Sequence, residues 1–213
     1  MNLAPPPEGN PTSALTFLVM LTPFVFLFSG IYIFSEMVHE RESRMKESLK
    51  IMGLNKWMYP LSFLLQRGIW LAFTCLCFTI MIYVFNTDYL GFGDLISLYI
   101  TTWLLGIGNL SMCMVLQNLF SDAKMASFLA FFIIFGPVSV SLIAVVNNLP
   151  NKWVQYLYFI PNFSFEVVVA NILLDENIAE RYFEQNVAIA WIFQIIAPIA
   201  YYFFYIYVEA IMP

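Results

Sequence analysis

The chain reads as an all-α, polytopic membrane protein, and three observations carry that reading. Hydrophobic residues fill 61% of its 213 positions and charged ones only 11%, whereas a soluble domain needs about 25% charged residues to solvate its surface. The apolar residues gather into runs of about 20, the length of helix that crosses a hydrocarbon core about 30 Å thick. Alternating segments of about ten residues, the mark of a membrane β-barrel, do not occur. Helices also satisfy their own backbone hydrogen bonds in lipid.

Residues 1–13, "MNLAPPPEGNPTS", are rich in Pro, Gly and Asn and predict a disordered external lead-in. They lack the basic n-region of a secretory signal peptide, and the run that follows is too long for a signal core. Five spans are expected: 14–36, 58–85, 93–120, 125–147 and 187–210. Pro60 suits the first turn of the second span. Pro23, Pro137 and Pro198 lie inside runs and predict kinks against neighbouring helices.

Lysine and arginine counts set the orientation. With the segment after the first span cytosolic, that side holds Arg41, Arg44, Lys46, Lys50, Lys56, Arg67 and Lys124. The other side holds only Lys152 and Arg181, beside Asp88, Asp94, Asp175, Glu176, Glu180 and Glu184. The N-terminus is then external or lumenal and the C-terminus cytosolic. Five spans with an external start predict a further helix ahead of residue 1.

Residues 150–186 contain two apolar pieces split at Pro161-Asn162. Each is too short to span, and both flanks fall on the external side. A re-entrant helical hairpin over 152–180 fits, with its turn at Pro161-Asn162, because surrounding protein can shelter such backbone. Two full crossings would keep the last span's orientation, but the halves are short for that.

The chemistry-bearing residues do not assemble a catalytic site. His39 stands alone, and Cys75, Cys77 and Cys113 sit in apolar runs, where they read as small buried side chains. No phosphate-binding loop is present, and no basic face suggests nucleic acid. Metal-ligand spacing is lacking, so no cofactor is expected in this chain. Polar groups within spans are the remaining candidates. Arg67 can snorkel to headgroups or pair with an acid. Asn109 and Gln117 share a face of the third span and can bond across helices or line a pathway. Glu166, in the second hairpin arm, is either buried with a partner or turned outward at the interface. Asn162-Phe163-Ser164 is a glycosylation sequon, but a turn buried in the membrane makes its use doubtful.

Charge concentrates in one place, "HERESRMKESLKIMGLNKW", which holds five of the nine Lys and Arg residues. Glu40–Arg44 and Glu42–Lys46 are i,i+4 pairs with the acid first, the favourable order on a helix, and Glu47–Lys50 is an i,i+3 pair. Met45, Leu49 and Met52 make an apolar stripe, and Gly53 offers a C-terminal stop. An amphipathic cytosolic helix over 38–53 follows. Its stripe has to be covered by lipid, a helix or a partner, and methionines suit an adaptable contact.

The same stretch resembles the first cytosolic segment of A-subfamily ABC transporters, V-x-E-[KR]-E-x-R-[LM]-K-E-x-[ML]-K-I-M-G-L. It matches through Val38, Glu40, Arg41, Glu42, Arg44, Met45, Lys46, Glu47, Leu49, Lys50, Ile51, Met52, Gly53 and Leu54. "LFSDAKMAS" from Leu119 is similar to the family's F-F-S-K-A-x-x-A link, and "YIYVEAIMP" from Tyr205 to the end of its last span.

The resemblance implies a type V exporter membrane domain of the ABC-2 kind, with residues 38–53 as the coupling helix. It implies a preceding span and external domain, a following nucleotide-binding domain carrying ATP and magnesium, and a second membrane half or homodimer partner. The implied cargo is lipid, with Asn109, Pro161, Asn162 and Glu166 on the substrate path or hairpin. ATPase activity would belong to the nucleotide-binding domain and not to this chain. The alternative is a non-transporting scaffold or pseudotransporter that anchors a partner through the same helix, with its basic residues reading anionic headgroups; the interleaved acids weaken that field.

Overall fold

The structure, a computed structural model, describes residues 30–43, 48, 51–53, 55, 57–85, 91–120, 125, 128, 132, 156–173 and 187–211. Every regular element among them is helical. We label them α1 (30–42), α2 (Met58–Phe85), α3 (Phe92–Leu116), α4 (Pro161–Leu173) and α5 (Val187–Ile211). A 3-10 turn, Gln117–Leu119, extends α3. Three of these, Met58–Val84, Phe92–Leu119 and Val187–Ile211, are long and apolar enough to cross a membrane.

The expected second span coincides with α2, and the third and fifth agree with α3 and α5 to within a residue or a terminal turn. The lead-in, the first span up to residue 29, nearly all of 125–147 and the outer parts of the hairpin lie outside the described residues. One boundary differs from expectation. α1 runs unbroken from residue 30 through residue 42, so the last residues of the expected first span, 30–36, and the start of the charged segment are one helix. Nothing between residues 36 and 38 breaks it, because Glu36, Met37 and Val38 are compatible with helix and Met37 and Val38 are buried.

α3 is the centre of the bundle and packs against α2, α4 and α5. Of its most apolar stretch 67% is buried inside the protein, against 28% for α2 and 17% for α5. The reason is compositional. α3 carries Thr101, Thr102, Gly106, Gly108, Asn109 and Ser111, small or polar residues that let backbones approach and bond across helices, as membrane interfaces favour. Its start is fixed by Asp94, whose carboxylate accepts the Gly91 N–H at 3.1 Å.

α2 buries one stripe, Leu71, Cys75, Thr79 and Ile82, and exposes Trp70, Phe73 and Ile80. α5 likewise buries Ala190, Gln194, Ala197 and Pro198 and exposes Ile192, Ile195, Ile199 and Phe203. Such exposed apolar faces suit lipid. Cys77 belongs to the outer face of α2 and is exposed, which corrects the expectation that all three cysteines are buried; Cys75 and Cys113 are. An apolar run two turns long does not reveal which side faces lipid.

Pro161 opens α4 instead of forming an open turn. The Ile160 carbonyl accepts from the N–H groups of Phe163 (3.0 Å) and Ser164 (3.3 Å), and proline at the first helical position has no N–H to leave unpaired. All side chains from Pro161 to Val169 are buried. Pro198 sits inside a continuous α5.

Candidate functional site

Two groups of polar side chains stand out from the apolar bundle. The first is at the charged end, where α1 leaves the helices it packs against. Arg67 of α2 donates to the Glu36 carboxylate of α1. Of the two outcomes open to Arg67, pairing with an acid is the one observed. Its guanidinium also lies 5.6 Å from the Phe63 ring centroid. One turn further along α1, Glu40 accepts from the Tyr59 hydroxyl at the start of α2.

Arg41 reaches a third helix. Its Nη1 donates to the Gln117 carbonyl at 3.0 Å and lies 3.5 Å from that of Phe120. The Gln117 carbonyl also accepts from the Phe120 N–H at 3.3 Å, a carbonyl has room for a second donor, and the helix dipole places negative charge at this end. Arg41 therefore caps the C-terminal end of α3. Near by, the Tyr202 hydroxyl of α5 donates to the Trp57 carbonyl at 3.2 Å. α1 is thus latched to α2 and α3, and the start of α2 to α5.

Within the latch segment but on its outer side, His39 is exposed, with Nδ1 4.0 Å from the Glu42 carboxylate. Met52 and Gly53 are exposed. The Met52 N–H donates to the Ser48 carbonyl at 3.1 Å, and Gly53 has φ +91°, a left-handed value that favours glycine. Arg44, Met45, Lys46, Glu47, Leu49 and Lys50 lie outside the described residues.

The second group is neutral and buried. Asn109 of α3 donates through Nδ2 to Asn162 Oδ1 of α4 at 3.0 Å. Asn109 lies about 26 Å along α3 from its start at 1.5 Å per residue, so the beginning of α4 is set deep in the bundle. Beside it, Gly108 admits Pro161: a methyl group at Gly108 would lie 2.9 Å from Pro161 Cβ and 3.7 Å from Pro198 Cγ. Three helices therefore meet at one glycine. Gln194 of α5 donates to the Thr101 carbonyl at 2.8 Å, and Trp103 Nε1 to the Gly68 carbonyl at 3.1 Å. Glu166, one turn after Asn162, is buried and engaged in an interaction.

Asn109, Pro161 and Asn162, singled out from the sequence, are thus brought together, with Glu166 on the same helix. Gln117 contributes its carbonyl to Arg41, while its side chain is buried. Asn162 is fully buried, so its sequon is inaccessible in this structure. Several participants escaped the sequence reading, among them Glu36, Tyr59, Trp103, Tyr202, Gln194 and Gly108. Gln194 could have been found as a polar residue within an apolar run, the signal that marked Asn109. Gly108 could have been found from the closely spaced glycines of "LGIGN".

A bundle of apolar helices, with most of the described charge gathered at one rim and amides, with Glu166, inside, is the membrane part of a multi-pass protein. Among the described residues no cluster of His, Cys, Asp and Glu is suited to hold a metal. The pattern of the family described as ABC-2 family transporter protein matches residues 1–208, and the chain belongs to that family. It is a membrane component of a transporter, and membrane domains of this kind are permeases that typically work with nucleotide-binding ATPase partners. No curated protein matches the chain at a significant level.

Proposed function

We propose that the chain is the membrane half of an ATP-driven exporter of the A-subfamily type, which moves lipid across the bilayer. Residues 38–53 form the coupling helix. A nucleotide-binding domain outside this chain holds ATP and magnesium and pushes on the Met45, Leu49 and Met52 stripe. A second membrane half or a second copy completes the pathway. The coupling segment and the C-terminus are cytosolic, and the N-terminus is external or lumenal.

One observation supports this reading above the others. α1 continues without a break into the charged segment and is latched there through Glu36–Arg67, Glu40–Tyr59 and Arg41 on the end of α3. A push on residues beyond Arg41 is therefore delivered to three helices together. Coupling of this kind needs an element whose equilibrium both sites bias. Glu40 and Arg41 serve it by fixing the root of the helix, and Arg44, Lys46, Glu47 and Lys50 by meeting the partner. Exposed Met52, beside the positive-φ Gly53, suits a contact made by another protein.

The test uses the complete transporter in liposomes, with lipid movement and ATP hydrolysis measured together. Movement should require ATP and vanish when the ATPase is inactivated. Leu49→Glu should lower transport per ATP by about tenfold, within the usual span of allosteric coupling, while membrane insertion persists. Lipid movement that is indifferent to ATPase inactivation would leave the scaffold alternative standing.

A further inference from the structure

α5 carries a proline in its middle, and its two halves are held by different neighbours. Pro198 has no N–H to offer the Gln194 carbonyl one turn earlier, so the helix bends most easily at that point. On the Val187 side, Gln194 Nε2 donates to the Thr101 carbonyl of α3 at 2.8 Å. Ala190 is buried in one apolar cluster with Val167 and Val168 of α4. This upper half therefore belongs to the body formed by α3 and α4.

Past Pro198 the partners change. The Tyr201 hydroxyl donates to the Phe159 carbonyl at 3.2 Å, and the two rings lie 4.9 Å apart. The next residue, Tyr202, donates to the Trp57 carbonyl at 3.2 Å, and the Trp57 ring meets Phe203 edge-on at 6.4 Å. Successive helical residues point about 100° apart. The lower half thus holds the turn before α4 on one side and the exit of the charged segment on another. That turn straddles the bend: Tyr158 packs on Phe163 and Phe193, and Phe159 on Tyr201. The turn joins α4 at Pro161, and both prolines converge on Gly108, where a methyl group would lie 2.9 Å from Pro161 and 3.7 Å from Pro198.

We propose that Pro198 is a joint and the lower half of α5 a lever, which carries motion from Trp57 to the turn at Phe159. Tyr201 is the positioning residue of this relay, because it sets the turn and, through it, the approach to α4. A push on residues 38–53 then has two routes: the latch to α1, α2 and α3, and the lever to the turn before α4. The lever stands on these contacts alone and takes only the source of the push from the coupling reading.

The test measures distances between spin labels in the complete transporter in nanodiscs, without nucleotide and with the exposed native cysteines, Cys77 among them, replaced. Tyr207→Cys on the lower half, Tyr156→Cys beside the turn and Ile192→Cys on the upper half, all at exposed positions, are each paired with Ile96→Cys on α3. Trp57→Ala frees the lever. A bend of about 20° at Pro198 carries Tyr207, roughly 14 Å further along the helix, through about 5 Å. The Tyr207 distribution should widen by about that much and the Tyr156 distribution by about 2 Å with it, the travel expected nearer the joint. The Ile192 distribution should stay as it was. Pro198→Ala restores the missing N–H and should suppress both widenings. Tyr202→Phe, which removes only the hydrogen bond, takes the place of Trp57→Ala if that variant does not fold. Widening at Tyr207 without Tyr156, widening at Ile192, widening that survives Pro198→Ala, or none at all would overturn the proposal. Because nucleotide is absent, failure here is distinct from failure of ATP-driven export, which is read by transport alone.

Discussion

The two polar regions of this bundle solve the same problem by opposite means. At the charged end, α1 is fastened by ionised groups: Glu36 with Arg67, Glu40 beneath Tyr59, and Arg41 on the carbonyls that end α3. In the interior, helices are joined by neutral groups: Asn109 with Asn162, Gln194 with the Thr101 carbonyl, Trp103 with the Gly68 carbonyl. The Glu36 and Arg67 side chains remain 30% and 22% exposed, so water and headgroups can share their solvation, whereas Glu166, buried one turn from Asn162, has lost nearly all contact with solvent and is engaged by another group. The rim can therefore slide or re-pair at modest cost, and the interior is held by geometry. A transporter needs both behaviours: a handle that can be pushed and a body that moves as a unit.

The contrast is broken most severely at Gly108. Gly108→Ala places a methyl group 2.9 Å from Pro161, and overpacking of this kind typically costs about 1–3 kcal/mol. The variant should show the largest fall in the temperature at which the purified protein loses monodispersity; an unchanged midpoint would mean that α4 yields freely.

At the rim the effects should be smaller. Arg67→Met leaves Glu36 without its partner, and with both side chains partly exposed the expected loss is about 1 kcal/mol or less. Arg67→Lys should recover only part, because an ammonium lacks the guanidinium's planar fork. Tyr59→Phe removes one hydrogen bond to Glu40, worth roughly 0.5–1.5 kcal/mol in general and here at the lower end, since the charged end is open to solvent. Its signature is functional: transport per ATP should fall more than stability does. A stability loss as large as that of Gly108→Ala would erase the distinction between rim and interior.

The smallest effect belongs to the outer face of α2. Cys77→Ala should change stability by less than about 0.5 kcal/mol, while Cys113→Ala, on the buried face of α3, should cost measurably more. Equal costs would place the lipid-facing side of α2 elsewhere.

Span positions were legible because apolar run length is a direct image of bilayer thickness. That is why residues 58–85 and Met58–Phe85 coincide. Facing was not legible, since a residue against lipid and one against another helix are both apolar: Trp70 and Leu71 are adjacent, equally hydrophobic, and on opposite sides. The polar residues inside spans were legible as suspects, yet their partners were not. Asn109 meets a residue on α4, and Arg41 meets backbone carbonyls that carry no sequence label. The continuity of α1 through residue 42 was hidden for a related reason, because a change from apolar to charged composition looks like the end of a span even where the helix goes on.

The central claim is that residues beyond Arg41 drive the spans through the latch. Arg41→Met tests it in the complete transporter, with lipid moved per ATP hydrolysed as the readout. The account predicts that hydrolysis persists while the ratio falls by about fivefold or more, the lower range of measured coupling energies. An unchanged ratio, in protein shown to be folded and inserted, would contradict it.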